Sequence, residues 1–182
     1  MTVELSERTG RVVRWEDRVA ATSVRVSSPA GSAAAADLLG VDLPHRPGTW
    51  SPTEDGRVVW LGPDEWLVTA PATGPRSGLD AETRWRSALA PHGGTAVDVS
   101  AQRVGLRLSG PHARAVLAKG CSIDVHPRSF GPGTSAQTTL GLAGVVLLSL
   151  GSTGDEFAVL VRTSFATYLT DWLTDASLEF RS

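Results

Sequence analysis

The chain has 182 residues, 41% hydrophobic and 20% charged, which is enough apolar content for a real core in one domain or two joined subdomains. Seventeen basic against 19 acidic residues give a net charge of −2, so the electrostatic footprint of a nucleic-acid-binding protein is missing. Lys119 is the sole lysine, and it alone could carry Schiff-base chemistry.

In chain order, residues 1–18 are polar and aperiodic and read as an N-terminal arm. Ala21 to Ser27 alternates as a strand, and Gly31 to Leu39 is an alanine-rich helix ended by Gly40. After a Pro/Gly-rich loop, Arg57 to Leu61 and Trp66 to Thr69 form a hairpin across Gly62-Pro63-Asp64-Glu65. Asp80 is placed to cap a helix presenting Trp85, Ala88 and Leu89, stopped at Pro91-His92-Gly93-Gly94. Thr95 to Ser100 and Val104 to Leu108 are strands. Ser109 is placed to cap a helix that starts at Pro111 and ends at Gly120. Val145 to Leu150 and Phe157 to Val161 make a second hairpin. The chain closes on a helix whose stripe is Phe165, Tyr168, Leu169, Trp172, Leu173 and Ala176, capped by Thr163 or Ser164.

The first half recurs, much altered, in the second. Val24-Arg25-Val26-Ser27-Ser28-Pro29 returns as Leu106-Arg107-Leu108-Ser109-Gly110-Pro111. Pro47-Gly48-Thr49 returns as Pro132-Gly133-Thr134, and Asp64-Glu65-Trp66 as Asp155-Glu156-Phe157. These spacings far exceed solenoid periods. They predict an α+β protein of two related small units, 19–94 and 95–182, each an antiparallel sheet with helices on one face.

Chemistry-bearing motifs are scarce. One cysteine, Cys121, and four scattered histidines, His45 and His126 among them, offer no tetrahedral ligand set, so no metal site is expected. Cys121, just past a helix end, reads as a small core thiol. Asp98 either orients a ligand amine or caps its own turn. Paired carboxylates, HExxH, a Walker lysine and a GxSxG elbow do not occur, so no catalytic or cofactor-binding residue is expected. Among six tryptophans, Trp15 and Trp50 fall outside the core periodicity. They are candidate anchors for a partner surface, or else loop residues folded over their own core. The longest apolar run, Leu142 to Leu148, is far short of the ~18 residues of a membrane span. Met1 to Arg8 shows no signal-peptide core. With a single cysteine, a cytoplasmic location is expected.

From about Val58 to Ala176 a series of motifs resembles the gamma subunit of heterotetrameric sarcosine oxidase. They are Gly62-Pro63-Asp64-Glu65-Trp66-Leu67, Asp98-Val99-Ser100, Leu108-Ser109-Gly110-Pro111, Gly120-Cys121-Ser122-Ile123-Asp124-Val125-His126-Pro127, Ala136-Gln137-Thr138, and Arg162 to Leu169 with Trp172-Leu173. Ala101-Gln102 departs from the His and Gly often found there. The resemblance implies a fold related to the folate-binding domains of aminomethyltransferases and a non-catalytic subunit partnered by alpha, beta and delta subunits. It also implies that FAD, FMN, NAD and zinc reside on those other subunits. The complex would demethylate sarcosine to glycine with hydrogen peroxide and, given tetrahydrofolate, methylenetetrahydrofolate. The alternative is a free-standing folate-binding or one-carbon-transfer protein, with Asp98 and Trp60 or Trp66 drafted to the pterin.

Overall fold

A computed structural model describes residues 12–16, 19–72 and 78–180. Two five-stranded antiparallel sheets organise two compact units, one of residues 19–100, the other of 12–16 with 101–180. The fold is α+β.

In the first unit the strand order is β3 (Trp50–Pro52), β4 (Arg57–Gly62), β5 (Glu65–Pro71), β2 (Val19–Arg25) and β6 (Thr95–Asp98). Helix α1 (Pro29–Leu39) starts where Ser28 Oγ accepts the Gly31 N–H and ends at Gly40, whose φ of 70° lets its N–H return to Ala36 O. Glycine is required at position 31, because a Cβ there would lie 2.1 Å from Val26 Cγ2. Helix α2 (Gly78–Leu89) buries Ala81, Trp85 and Leu89, with Ala88 half-buried. Asp80 lies inside this helix rather than at its cap. Val24, Leu39, Val58, Trp66, Val68, Trp85 and Leu89 close the core on the helical face.

The second sheet runs β1 (Val13–Trp15), β7 (Arg103–Ser109), β10 (Glu156–Arg162), β9 (Ala143–Leu150) and β8 (Ser135–Leu140). Helices α3 (Ala113–Ala118) and α4 (Ala166–Ala176) complete the unit. Leu106, Leu108, Val116, Leu117, Phe157, Val159, Leu169 and Leu173 form its core. The α4 stripe holds from Tyr168 onward, but Phe165 is 39% exposed in a preceding 3-10 turn over Thr163–Phe165. That turn supplies no side-chain cap, and the Thr163 hydroxyl donates to Ala101 O instead.

Two sequence expectations are corrected here. Thr95–Asp98 belongs to the first sheet, since Thr22 lies opposite Asp98 and Arg25 opposite Thr95, so the chain passes between units after residue 100 rather than at 94. Conversely, Val13–Trp15, assigned to a 1–18 arm, is a strand paired with β7, Val13 opposite Leu108 and Trp15 opposite Leu106. The rest of that arm, residues 1–11, 17 and 18, lies outside the described residues. Each sheet thus takes its edge strand from the segment leading into the other sheet's β2 or β7.

Ser109 is not a helix cap either. It ends β7, and α3 begins after His112. Val26 N–H donates to Asp64 O in the first unit, and Gly110 N–H to Asp155 O in the second. These equivalent bonds put Ser28 in register with His112, two residues beyond where the sequence repeat aligns it.

Candidate functional site

Trp15 and Trp50, the proposed anchors, are not in loops. Each sits on an outermost strand of its sheet, Trp15 on β1 and Trp50 on β3 opposite Val59. Short edge strands are strands because a neighbour offers a ladder, which local sequence does not reveal. Trp15 is half-buried and packs against the core of its unit, while its Nε1–H is buried and has no hydrogen-bond partner among the described residues. An indole N–H so placed pairs normally with an acceptor. Trp50 is also half-buried. Both combine apolar area with an edge position, which suits contact with another chain.

Beside Trp15 the chain places a charged cluster. Arg107 Nε donates to Glu16 Oε1 at 3.3 Å, and Arg107 Nη1 to Glu156. Gly105 makes room for Glu16, since a Cβ there would meet its carboxylate at 2.7 Å.

The other polar residues singled out from sequence have structural partners. Asp98 accepts the Ser100 N–H at 2.7 Å, and Ser100 Oγ accepts the Ala21 N–H at 2.9 Å, so Asp98 shapes its own turn. Trp66 is 1% exposed and donates from Nε1 to Pro44 O, leaving no open face for a ligand ring. His45 meets its edge at 5.8 Å, beside a cleft of about 310 Å³ at the start of α1. Cys121 is half-buried against the second core and bridges to Leu140. His126 Nδ1 accepts the Arg128 N–H in a turn built by Asp124, which accepts from His126 N–H and Ser129 Oγ. These bonds, Ser129's foremost, hold the Asp124 carboxyl below its usual range. Among the described residues no three His, Cys, Asp or Glu side chains are grouped to hold a metal ion, and no helix is long and apolar enough to cross a membrane.

One half-buried cation escaped sequence reading. Arg114 donates to the carbonyls of Val125, Phe130 and Gly154, and its guanidinium lies 4.9 Å from the Phe157 ring centroid. Burial lowers its pKa, with Asp155 acting in opposition. It fastens α3 to the two loops flanking β8 and β10, a structural duty. A lone arginine on a helix carries no sequence signal for this.

The family model of the sarcosine oxidase gamma subunit matches residues 24–179. The chain is 38% identical to the sarcosine oxidase subunit gamma of Corynebacterium sp. (strain P-1) over 178 residues, covering 96% of this chain and 84% of that one. It is 42% identical to that of Arthrobacter sp. over 158 residues, 86% of this chain and 74% of the relative. In structure it resembles a chain of the heterotetrameric sarcosine oxidase from Corynebacterium sp. U-96 in complex with pyrrole 2-carboxylate. That match has a TM-score of 0.86 and 31% identity, covering 100% of this chain and 93% of that one. Glycine cleavage system aminomethyltransferase T from Bartonella henselae shares the fold alone, at TM-score 0.64 and 16% identity, over 93% of this chain and 48% of that one. With two related α+β units in the same order across its length, this chain belongs to the sarcosine oxidase gamma subunit family.

Proposed function

We propose that the chain is a non-catalytic structural subunit of a heterotetrameric, cytoplasmic sarcosine oxidase. The observation that carries this reading is its likeness, along its whole length, to a chain of a heterotetrameric sarcosine oxidase. In this reading alpha, beta and delta subunits are its partners and hold FAD, FMN, NAD and zinc between them. The assembly oxidatively demethylates sarcosine to glycine, with hydrogen peroxide and, given tetrahydrofolate, methylenetetrahydrofolate as products. The gamma chain stabilises the assembly by burying apolar and aromatic surface, as permanent interfaces of about 2,000 Å² or more commonly do. The edge positions of Trp15 and Trp50 support their use there.

The test is co-production of this chain, tagged, with alpha, beta and delta chains of a heterotetrameric sarcosine oxidase. Recovery of one yellow particle of four unlike chains that oxidises sarcosine is expected. Trp15→Ser and Trp50→Ser should lower the gamma content of that particle while turnover per bound flavin holds. A colourless particle near 19.1 kDa overturns the reading.

A further inference from the structure

The turn joining β8 to β9 has two residues, Gly141 and Leu142, between the paired Leu140 and Ala143. Its geometry needs glycine first, because φ at Gly141 is 58° and a Cβ there would lie 2.7 Å from the Tyr168 hydroxyl. Position 142 carries no such demand, and turns of this kind ordinarily place a polar residue there. Here it is a leucine, 81% exposed, the most open large apolar side chain among the described residues.

Leu142 is not isolated. Its N–H donates to the Tyr168 hydroxyl of α4 at 3.0 Å, and the Tyr168 ring meets that of Phe165 edge to face at 6.3 Å. Phe165 is exposed and Tyr168 half-buried. Trp172, one turn further along α4, passes the same glycine, its Cδ1 and Nε1 standing 3.5 Å from where a Cβ would be. A single exposed leucine is ordinary, whereas a contiguous aliphatic and aromatic patch marks an interaction surface. Aromatic side chains are enriched in the cores of such surfaces and among their strongest contacts. The patch is also held in shape. Tyr168 pins the tip of the turn to the helix, and Gly141 N–H donates to Gly120 O at 3.0 Å, so little ordering is left to be done on binding.

Charge selects the occupant. Asp171 follows Tyr168 by three residues and Asp175 follows Trp172 by three, so both exposed carboxylates border the patch along α4. A second copy of this chain, meeting this one about a two-fold axis, would bring the acidic border onto its own equivalent. Like charges so placed repel, and an unlike chain with a basic border is attracted.

We infer that Leu142, Phe165, Tyr168 and Trp172 form a docking knob for an unlike subunit of the oxidase assembly, one that offers an apolar socket bordered by arginine or lysine. The inference rests on the reading of this chain as a subunit of such an assembly, and adds the surface used and the chemistry of the partner.

The experiment assembles this chain with alpha, beta and delta chains, the affinity tag on alpha. Retention of this chain is followed by single-particle mass measurement through a dilution series. The wild type should stay bound. Leu142→Ser, and Asp171→Lys combined with Asp175→Lys, should each weaken retention at least tenfold, while Leu142→Met should bind nearly as the wild type does. Val97→Ser removes a 53% exposed apolar side chain from the other unit and should change nothing. Melts of the purified chains matching the wild type assign a loss to docking, and if Leu142→Ser melts early the lysine variant decides alone. A wild-type chain that never joins the assembly defeats the subunit reading and this inference with it. Full retention of both variants in a complex that the wild type forms overturns the inference alone, and so does a wild-type homodimer that Leu142→Ser breaks.

Discussion

Arg107 and Glu156 form an ion pair between neighbouring strands of the second sheet, and Arg25 and Glu65 form its counterpart in the first, at 2.7 Å. The two pairs do not share a register. Arg25 lies directly opposite Glu65, whereas Arg107 lies opposite Ala158, with Glu156 two residues along. Side chains two apart on a strand share a face, so the attraction survives the slip as a diagonal contact.

The environments differ more than the geometry, and this yields a first prediction. Arg25 is 65% exposed, where an ion pair contributes about 0–1 kcal/mol. Arg107 is 21% exposed and shared between Glu156 and a Glu16 that is 10% exposed. Removing a partner from partly buried carboxylates costs about 1–3 kcal/mol. Denaturant melts of Arg107→Leu should therefore show the larger loss, with Arg25→Leu near wild type. Equal losses would mean that Glu16 and Glu156 do not depend on Arg107.

Arg114 gives a second prediction. Its fork satisfies three carbonyls from two loops, and a substitute must leave at least some of them without a donor. Arg114→Met should destabilise by about 3 kcal/mol through stranded polar groups. Arg114→Lys should recover only part of this, because a compact ammonium cannot span the same acceptors. Thermal melts of the two variants decide it, and a fully restored lysine variant would argue that charge alone matters.

A third prediction concerns Gly120. A Cβ there would lie 2.4 Å from Trp172 Cζ2 and 2.7 Å from its Cη2. The indole is held in place by the core beneath α4 and cannot swing clear cheaply. Gly120→Ala should cost about 1–3 kcal/mol, as overpacked cores do, and should shift the Trp172 emission. An unchanged melting point would show that the end of α3 can yield.

The parts legible in the sequence are those whose signal is local. The second hairpin reads from Val145 to Leu150 and Phe157 to Val161 because its residues are apolar almost throughout, and both faces are indeed buried, Leu147 and Val159 toward the helices, Leu148 and Leu160 away from them. The end of helix α1 reads from Gly40, its C-cap in the structure, whereas its start, expected at Gly31, lies two residues earlier at Pro29 behind the Ser28 cap. Edge strands are illegible for the opposite reason. Val13–Trp15, Trp50–Pro52 and the polar Ser135–Leu140 owe their extension to partners elsewhere in the chain. The Arg103–Arg162 pair is hidden in the same way, since the two meet only through the antiparallel register of β7 with β10. The repeat itself misled by two residues at β7, because its matched Arg-Leu-Ser is not the structurally equivalent stretch.

Asp124 supplies a pH-dependent prediction. Its carboxylate accepts from Ser129 Oγ at 2.6 Å and His126 N–H at 2.8 Å, and these bonds, Ser129's first, lower its pKa from the ordinary 3.8. A carboxyl whose folded pKa lies below its unfolded one binds fewer protons when folded. It therefore contributes stability that is present above the unfolded value and is lost as pH falls through the folded value. Melting midpoints of the wild type and Asp124→Ala should differ by a small constant amount above about pH 5, in favour of the wild type, and the gap should close in acid. The effect is small because the group is exposed to solvent. Carboxyl-carbon NMR on the folded wild type should place the Asp124 midpoint below that of exposed aspartates without such bonds, and Ser129→Ala should raise it. A gap that persists unchanged into acid would mean that the turn from Asp124 to Phe130 is held by its backbone bonds and by Arg114 rather than by the charge.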